Sequence, residues 1–195
     1  MGHIWQPVFE VHQLIAQFNI NNFVETGCAD GSALRYMLPS GINLYSCDIN
    51  PAMASQCQRE FTEAEIIATN SLDFFDIINK KIEGPCLFWL DAHFPEYHGF
   101  KMDTTEFDLP LYAELLKIKE KVHYEKDVII MDDIRVIDSP DNPRFIRGEI
   151  DGIVPLEKRS LQAFIDVFVD THNYHLYHED QGYLVFTPKI NEVLK

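Results

Sequence analysis

Positive charge is scarce in this sequence: 16 Lys and Arg stand against 31 Asp and Glu, a formal net charge of -15 over 195 residues. A grip on nucleic acid neutralises phosphates with clustered Lys and Arg, and no such cluster is present, so RNA or DNA is disfavoured as a partner. Cysteine is also sparse. Cys28, Cys47, Cys57 and Cys86 form no CxxC pair and have no histidine at zinc-like spacing. Cys47 and Cys86 lie inside apolar runs and read as reduced core residues, which suits a cytoplasmic chain. No apolar run approaches the roughly 20 residues of a membrane span. The opening "MGHIWQPVFE" has neither the basic nor the apolar region of a signal peptide. Among nine glycines none forms the G-x-G-x-x-G dinucleotide fingerprint. Repeats and low-complexity segments are absent.

What remains is a globule-forming composition, 46% hydrophobic with 14 Phe and 8 Tyr, of a length that suits one domain spanning 1–195. After an amphipathic pattern around "VFEVHQLIAQF" come five short apolar runs: "NFVETG", "NLYSCDI", "AEIIATN", "CLFWLDAH" and "DVIIMDD". Each reads as a strand buried on both faces. Helical patterns separate them: "SALRYML", "PAMASQCQREF", "SLDFFDIINKKI" with Ser71 as its expected N-cap, and "PLYAELLKIKEKV". A last helix over Leu161–Val169 precedes "YHLYHE", the turn "DQG" and "YLVFTP". Strand alternating with helix, closed by a hairpin, predicts an α/β fold: a Rossmann-like, doubly wound, seven-stranded sheet, mostly parallel with an antiparallel strand from the C-terminal hairpin. Ligands on such sheets bind beyond the carboxyl ends of the strands, where Glu25, Asp48, Asn70, Asp91 and Asp132 all fall.

In "VETGCADGSAL" Gly27 ends the first strand and Gly31 opens the next helix, so the chain turns sharply and its backbone can approach a ligand. About twenty residues on, "CDINP" ends the second strand in Asp48, an acid placed to accept hydrogen bonds from both hydroxyls of a ribose. These features resemble the class I S-adenosylmethionine-dependent methyltransferases, whose first motif looks like E-x-G-x-x-x-G, and the likeness covers nearly the whole chain. The resemblance implies S-adenosylmethionine as cofactor. Glu25, Gly27, Gly31 and Ser32 would surround its methionine portion, Asp48 and Ile49 its ribose and adenine, and Asn70 with Ser71 the adenine edge. Ala29 departs from the pattern, standing where many members carry a middle glycine.

Two apolar runs end in carboxylates, "CLFWLDAH" at Asp91 and "DVIIMDD" at Asp132 and Asp133. Like charges held close repel, and a hard divalent cation such as Mg²⁺ or Mn²⁺, which favours oxygen ligands, removes the conflict. The pair "LDAH" and "MDDI" resembles the metal-dependent sugar and catechol-type O-methyltransferases. It implies Asp91, Asp132 and Asp133 as metal ligands and His93 beside Asp91 as the general base. A vicinal diol could chelate the ion through both oxygens, which favours a small-molecule or glycan acceptor, with a deoxyhexose such as rhamnose preferred and a catechol or phenylpropanoid as the alternative. A non-catalytic nucleotide-binding module on the same fold is the rival of another class, and the sequence leaves room for a homodimer. Trp89 reads as core, and His98, His172, His175 and His178 as loop or strand-surface residues.

Overall fold

A computed structural model describes residues 9–92, 110–134, 137, 160–180 and 182–189. Seven strands, β1 (Asn22–Thr26), β2 (Asn43–Asp48), β3 (Ala64–Ala68), β4 (Cys86–Leu90), β5 (Val128–Met131), β6 (His172–Tyr177) and β7 (Tyr183–Pro188), form one sheet in the order β3-β2-β1-β4-β5-β7-β6. The pairs from β3 through β5 are parallel, and β7 runs antiparallel between β5 and β6. Helices α1 (Val11–Phe18), α2 (Ser32–Met37) and α3 (Pro51–Glu60) cover one face. Helices α4 (Ser71–Ile78), α5 (Leu111–Lys119) and α6 (Leu161–Phe168) cover the other. This is the doubly wound architecture expected from the sequence.

Alternation along each strand divides the core. Phe23, Trp89, Ile130 and Val185 pack beneath α1–α3, while Val24, Phe88, Leu90 and Phe186 pack beneath α4–α6. β1, β4 and β5 are buried along their whole length, as their continuous apolar runs predict. β2 departs from that expectation in part, with Asn43 exposed and Tyr45 and Asp48 half-buried, and β3, an edge strand, is only partly covered. Its free edge is blocked by Gln58, whose Oε1 accepts from the Ile66 N–H (3.0 Å) while Nε2 donates to the Ala64 carbonyl (3.0 Å). An edge whose backbone groups are taken this way is a poor template for another strand.

Helix starts follow local chemistry. Asn50 Oδ1 accepts from Ala52 N–H (3.0 Å) ahead of Pro51, which fits the first turn of α3. α4 starts one residue differently from expectation: Asn70 is its cap, its Oδ1 accepting from the Asp73 N–H (2.9 Å), and Ser71 is the first helical residue. The expected surface role of His172 also fails. Its ring is buried, with Nε2 3.0 Å from the Asp127 carbonyl and Nδ1 2.8 Å from Thr171 Oγ1, and burial lowers its pKa.

The amino ends of the strands carry a buried ion pair. Lys121 Nζ donates to both Asp127 oxygens (3.0 and 3.1 Å) and to the Gly84 carbonyl (3.2 Å), and the Cys86 N–H donates to Asp127 Oδ1 (2.8 Å). Both side chains are almost fully excluded from solvent. Removing one partner strands the other charge, so Lys121→Met is expected to cost about 3 kcal/mol of stability, read as a lower midpoint in urea unfolding.

Candidate functional site

Strand order reverses between β1 and β4, the place where a crevice opens beyond the carboxyl ends of a doubly wound sheet. Here the two strands come unusually close. Gly27 has φ +84, and a Cβ on it would sit 2.8 Å from the Asp91 carbonyl oxygen. Only glycine meets both the backbone conformation and the close approach. The Asp91 N–H continues the ladder past β4 by donating to the Thr26 carbonyl (3.1 Å), and the Asp132 N–H does the same past β5 by donating to the Leu90 carbonyl (3.1 Å).

The loop from Gly27 to Gly31 is pinned from two sides. The Ala29 N–H and the Cys28 thiol donate to Asp48 Oδ2 (3.0 and 3.7 Å), while the Asn50 N–H donates to Oδ1 (2.8 Å). Below the loop lies α3. A Cβ on Gly31 (φ +75) would meet the Phe61 ring and stand 3.4 Å from Cys57 Sγ, whose thiol donates to the Ala29 carbonyl (3.4 Å). Ala29 itself adopts φ 43, a conformation a middle glycine would take without the steric cost of a Cβ. Ser32 begins α2 with its N–H and hydroxyl both directed to Asp30 Oδ1 (3.1 and 2.5 Å). Ile49 is partly buried beside Asp48, and Asn70 and Ser71 stand just past β3. All four cysteines are free and buried.

Glu25 is buried in β1, its Oε2 accepting from the Ser46 hydroxyl (2.6 Å). Burial first, then the charges of Asp48 and Asp30, push its carboxyl from the usual 4.5 to about 8, against the lowering effect of Ser46. Between those values the folded chain holds a proton that the unfolded chain has released. The associated stability is therefore fully present below about pH 4.5 and is lost as pH rises through 8. Thermal unfolding of the wild type across this window is expected to show a fall on the order of 1 kcal/mol per pH unit that Glu25→Gln removes.

Asp91 and Asp132 follow Trp89 and Ile130 by two residues, so alternation turns them toward the α1–α3 face. Asp132 and Asp133 are buried, and Asp133, at φ 54, folds its N–H onto Asp132 Oδ1 (2.6 Å). An all-carboxylate donor set suits a hard divalent cation, and the register puts Asp91 beside Asp132. Yet among the described residues no three His, Cys, Asp or Glu side chains are gathered closely enough to hold a metal ion. The donors fit in chemistry and fall short in number. His93 lies outside the described residues.

Two features escaped the sequence reading. Glu114, in the first turn of α5, is fully buried. The signal was available: Leu111, Glu114, Leu115 and Ile118 have the spacing of one buried helix face, with an acid in it. Tyr183, at the start of β7, donates its hydroxyl to Asp180 Oδ2 (3.2 Å). Burial and then the charges of Asp132, Asp180 and Asp91 push the phenol well above its usual range.

Solved structures share this fold. An O-methyltransferase from Bacillus cereus in complex with SAH aligns over 92% of this chain and 79% of its own at 17% identity, with a TM-score of 0.55. The O-methyltransferase TomG from Streptomyces achromogenes, involved in tomaymycin synthesis and in complex with SAM, aligns over 92% and 78% at 13% identity and 0.56. An SAH-bound methyltransferase from Podospora anserina aligns over 91% and 76% at 13% identity and 0.56. The chain has the Rossmann-like methyltransferase fold. At these identities the likeness is one of fold. No family model and no curated protein matches the sequence. Within the methyltransferase fold seen here, the Gly27–Gly31 loop, Asp48 and Asn70 follow β1, β2 and β3, and Asp91 and Asp132 follow β4 and β5. No helix among the described residues is long and apolar enough to cross a membrane.

Proposed function

We propose that this chain is a divalent-metal-dependent S-adenosylmethionine O-methyltransferase acting on a small diol-bearing acceptor, a sugar such as a deoxyhexose of a surface glycan. The observation that carries the reading is the close approach at the crevice between β1 and β4. There the glycine loop braced by Asp48 meets the backbone of Asp91 at Gly27. The residues proposed for the nucleoside and those proposed for the carboxylate half-site thereby lie along one edge of the sheet.

When bound, S-adenosylmethionine supplies a methyl group on a sulfonium, and a divalent cation lowers the pKa of an acceptor hydroxyl. The chain's own residues do the rest. Asp48 would accept hydrogen bonds from ribose hydroxyls while its backbone donors keep it oriented, and Ile49, Asn70 and Ser71 would hold the adenine. Gly27 and Gly31 leave room for the methionine portion next to Ser32 and the protonated carboxyl of Glu25. Asp91, Asp132 and Asp133 would hold the cation, and His93 would accept the acceptor's proton at an imidazole nitrogen, a role suited to a group whose ordinary pKa is near ~6.5. In-line transfer would then depend on how these residues position donor and acceptor.

Transfer of labelled methyl from S-adenosylmethionine to a panel of glycosides and catechols, with Mg²⁺ or Mn²⁺ and then with a chelator, tests the reading. Chelator-sensitive labelling of glycosides is expected. Labelling of catechols alone moves the acceptor class to phenylpropanoid-like compounds, and binding of the nucleoside without turnover on any acceptor favours the non-catalytic module.

A further inference from the structure

The sheet has two edges, and their side chains treat them differently. β3 carries Glu65 in an ion pair with Lys81, and its outer backbone groups are taken by Gln58. β6, at the opposite edge, has neither device. Its six residues, "HNYHLY", include no Asp, Glu, Lys, Arg, Pro or Gly. They pair with β7 in one unbroken register from His172–Pro188 to Tyr177–Tyr183, without a bulge. Asn173, Tyr174 and His175 are exposed. Charge, proline and bulges are the means by which an edge strand is kept from pairing with another chain, and β6 uses none of them.

The phase of the ladder decides which backbone groups are available. The Lys189 N–H donates to the Thr171 carbonyl (3.0 Å), one step beyond the His172–Pro188 pair, so Thr171, Asn173, His175 and Tyr177 turn their backbone groups toward β7. The N–H and C=O groups of His172, Tyr174 and Leu176 therefore point outward, and no hydrogen bond among the described residues reaches them. This row is complementary to itself. When a second copy approaches around a twofold axis perpendicular to the sheet, with Tyr174 facing its own counterpart, His172 falls opposite Leu176 on both sides of the axis. Every outward N–H and C=O of the strand then finds an antiparallel partner. A shift of two residues in either direction leaves one outward residue of each copy without a strand opposite it. At the axis the two Tyr174 rings lie on the same face as Leu176, which packs on the α4–α6 side, and form a cross-strand aromatic pair. Charge favours the same occupant. Two chains of net charge -15 repel over most of their surface, and a strand without charged side chains is where they meet at least cost.

We infer that β6 is a homodimer interface, pairing antiparallel with β6 of a second copy across a twofold axis at Tyr174 and joining two seven-stranded sheets into one. The dimer depends on neither the cofactor nor the acceptor proposed above. Main-chain hydrogen bonds of one strand pair supply the affinity, and Tyr174 supplies the contact at the centre. An interface built on one strand pair is small, so the dimer dissociates on dilution.

Sedimentation equilibrium of the full chain, from micromolar to near-millimolar concentration, reads the association in wild type, Tyr174→Lys, Tyr174→Pro and Tyr174→Phe, with thermal midpoints measured alongside. The wild-type mass is expected to rise with concentration from 22.6 kDa toward twice that value. Tyr174→Lys sets two like charges face to face at the axis, and Tyr174→Pro removes an outward N–H that β7 does not use. Both are expected to keep a wild-type thermal midpoint and to weaken the dimer about 10-fold or more. Tyr174→Phe, which keeps the backbone and the ring, dimerises like the wild type. A wild type that stays at 22.6 kDa throughout overturns the inference. A monomer whose Tyr174 and Leu176 amides are nonetheless protected from hydrogen exchange overturns it too, and assigns the edge to another segment of the same chain. A dimer of unchanged affinity in both Tyr174→Lys and Tyr174→Pro also overturns it, and places the contact elsewhere on the surface.

Discussion

Replacing Asp48 with alanine is expected to lower affinity for S-adenosylhomocysteine by about 10³-fold. A carboxylate at the end of β2 that accepts from both ribose hydroxyls makes two charge-assisted hydrogen bonds, each contributing ~1.5–3 kcal/mol, and both vanish in the variant. At 1.4 kcal/mol per factor of ten the sum corresponds to roughly 10²- to 10⁴-fold in the dissociation constant. The same substitution also frees the Ala29 and Asn50 N–H groups that now donate to Asp48, so the glycine loop loses its pin as well as its ligand contact. Asp48→Asn separates the two contributions. An amide keeps an acceptor for one of these backbone donors and loses the charge, so an intermediate loss of affinity with a wild-type melting profile is expected. Calorimetric titration of the three proteins reads the difference.

Asp132→Asn is expected to lower turnover by about 10³-fold while leaving S-adenosylhomocysteine affinity at the wild-type value. The carboxylate is buried at the end of β5 and accepts the Asp133 N–H at 2.6 Å, a bond that an asparagine carbonyl can replace. What it cannot replace is the charge. On the metal-dependent proposal a bound cation would supply several kcal/mol to the activation of an acceptor hydroxyl, and a neutral amide beside Asp91 would hold such an ion poorly. The split between the two readouts matters, because a merely structural fault at this strand end would disturb Gly27 across the crevice and weaken nucleoside binding too. Steady-state turnover with a labelled methyl donor, set beside the binding constant, distinguishes the two.

The glycine loop and its brace at Asp48, the place proposed for the nucleoside, are legible in the sequence because their requirements are local. Gly27 and Gly31 stand at positive φ, Gly27 where backbone from β4 and Gly31 where the Phe61 ring leaves no room for a side chain, and Asp48 ends a strand whose length the apolar run already sets. The doubly wound class is legible for a related reason: helices alternating with buried runs allow few topologies, and the terminal hairpin brings in an antiparallel strand. What escaped depends on register and on contacts distant in sequence. His172 looked like a surface histidine because nothing near it in the chain reveals that its ring will reach the Asp127 carbonyl, 45 residues away, at the far end of the sheet. β3 reads as apolar as its neighbours, and only its place at the edge leaves it partly exposed. Tyr183 falls one position beyond the Met131–Leu184 pair, on the side of Asp132, through a pairing between β5 and β7 that no periodicity specifies. Ser71 and Asn70 are both good caps by composition, and the hydrogen bond to the Asp73 N–H chooses between them. Glu114 is the exception, since its helical spacing was visible and an acid on a buried face is itself a signal.

The most direct measurement is calorimetric titration of the full chain with S-adenosylhomocysteine, with Mn²⁺ present and then with a chelator, alongside Asp48→Ala. One-to-one binding by the wild type in both conditions, lost in Asp48→Ala, is the expected result and places the nucleoside on the glycine loop beside Asp48. No binding under either condition would contradict a methyltransferase site at this edge and leave the fold without its proposed activity.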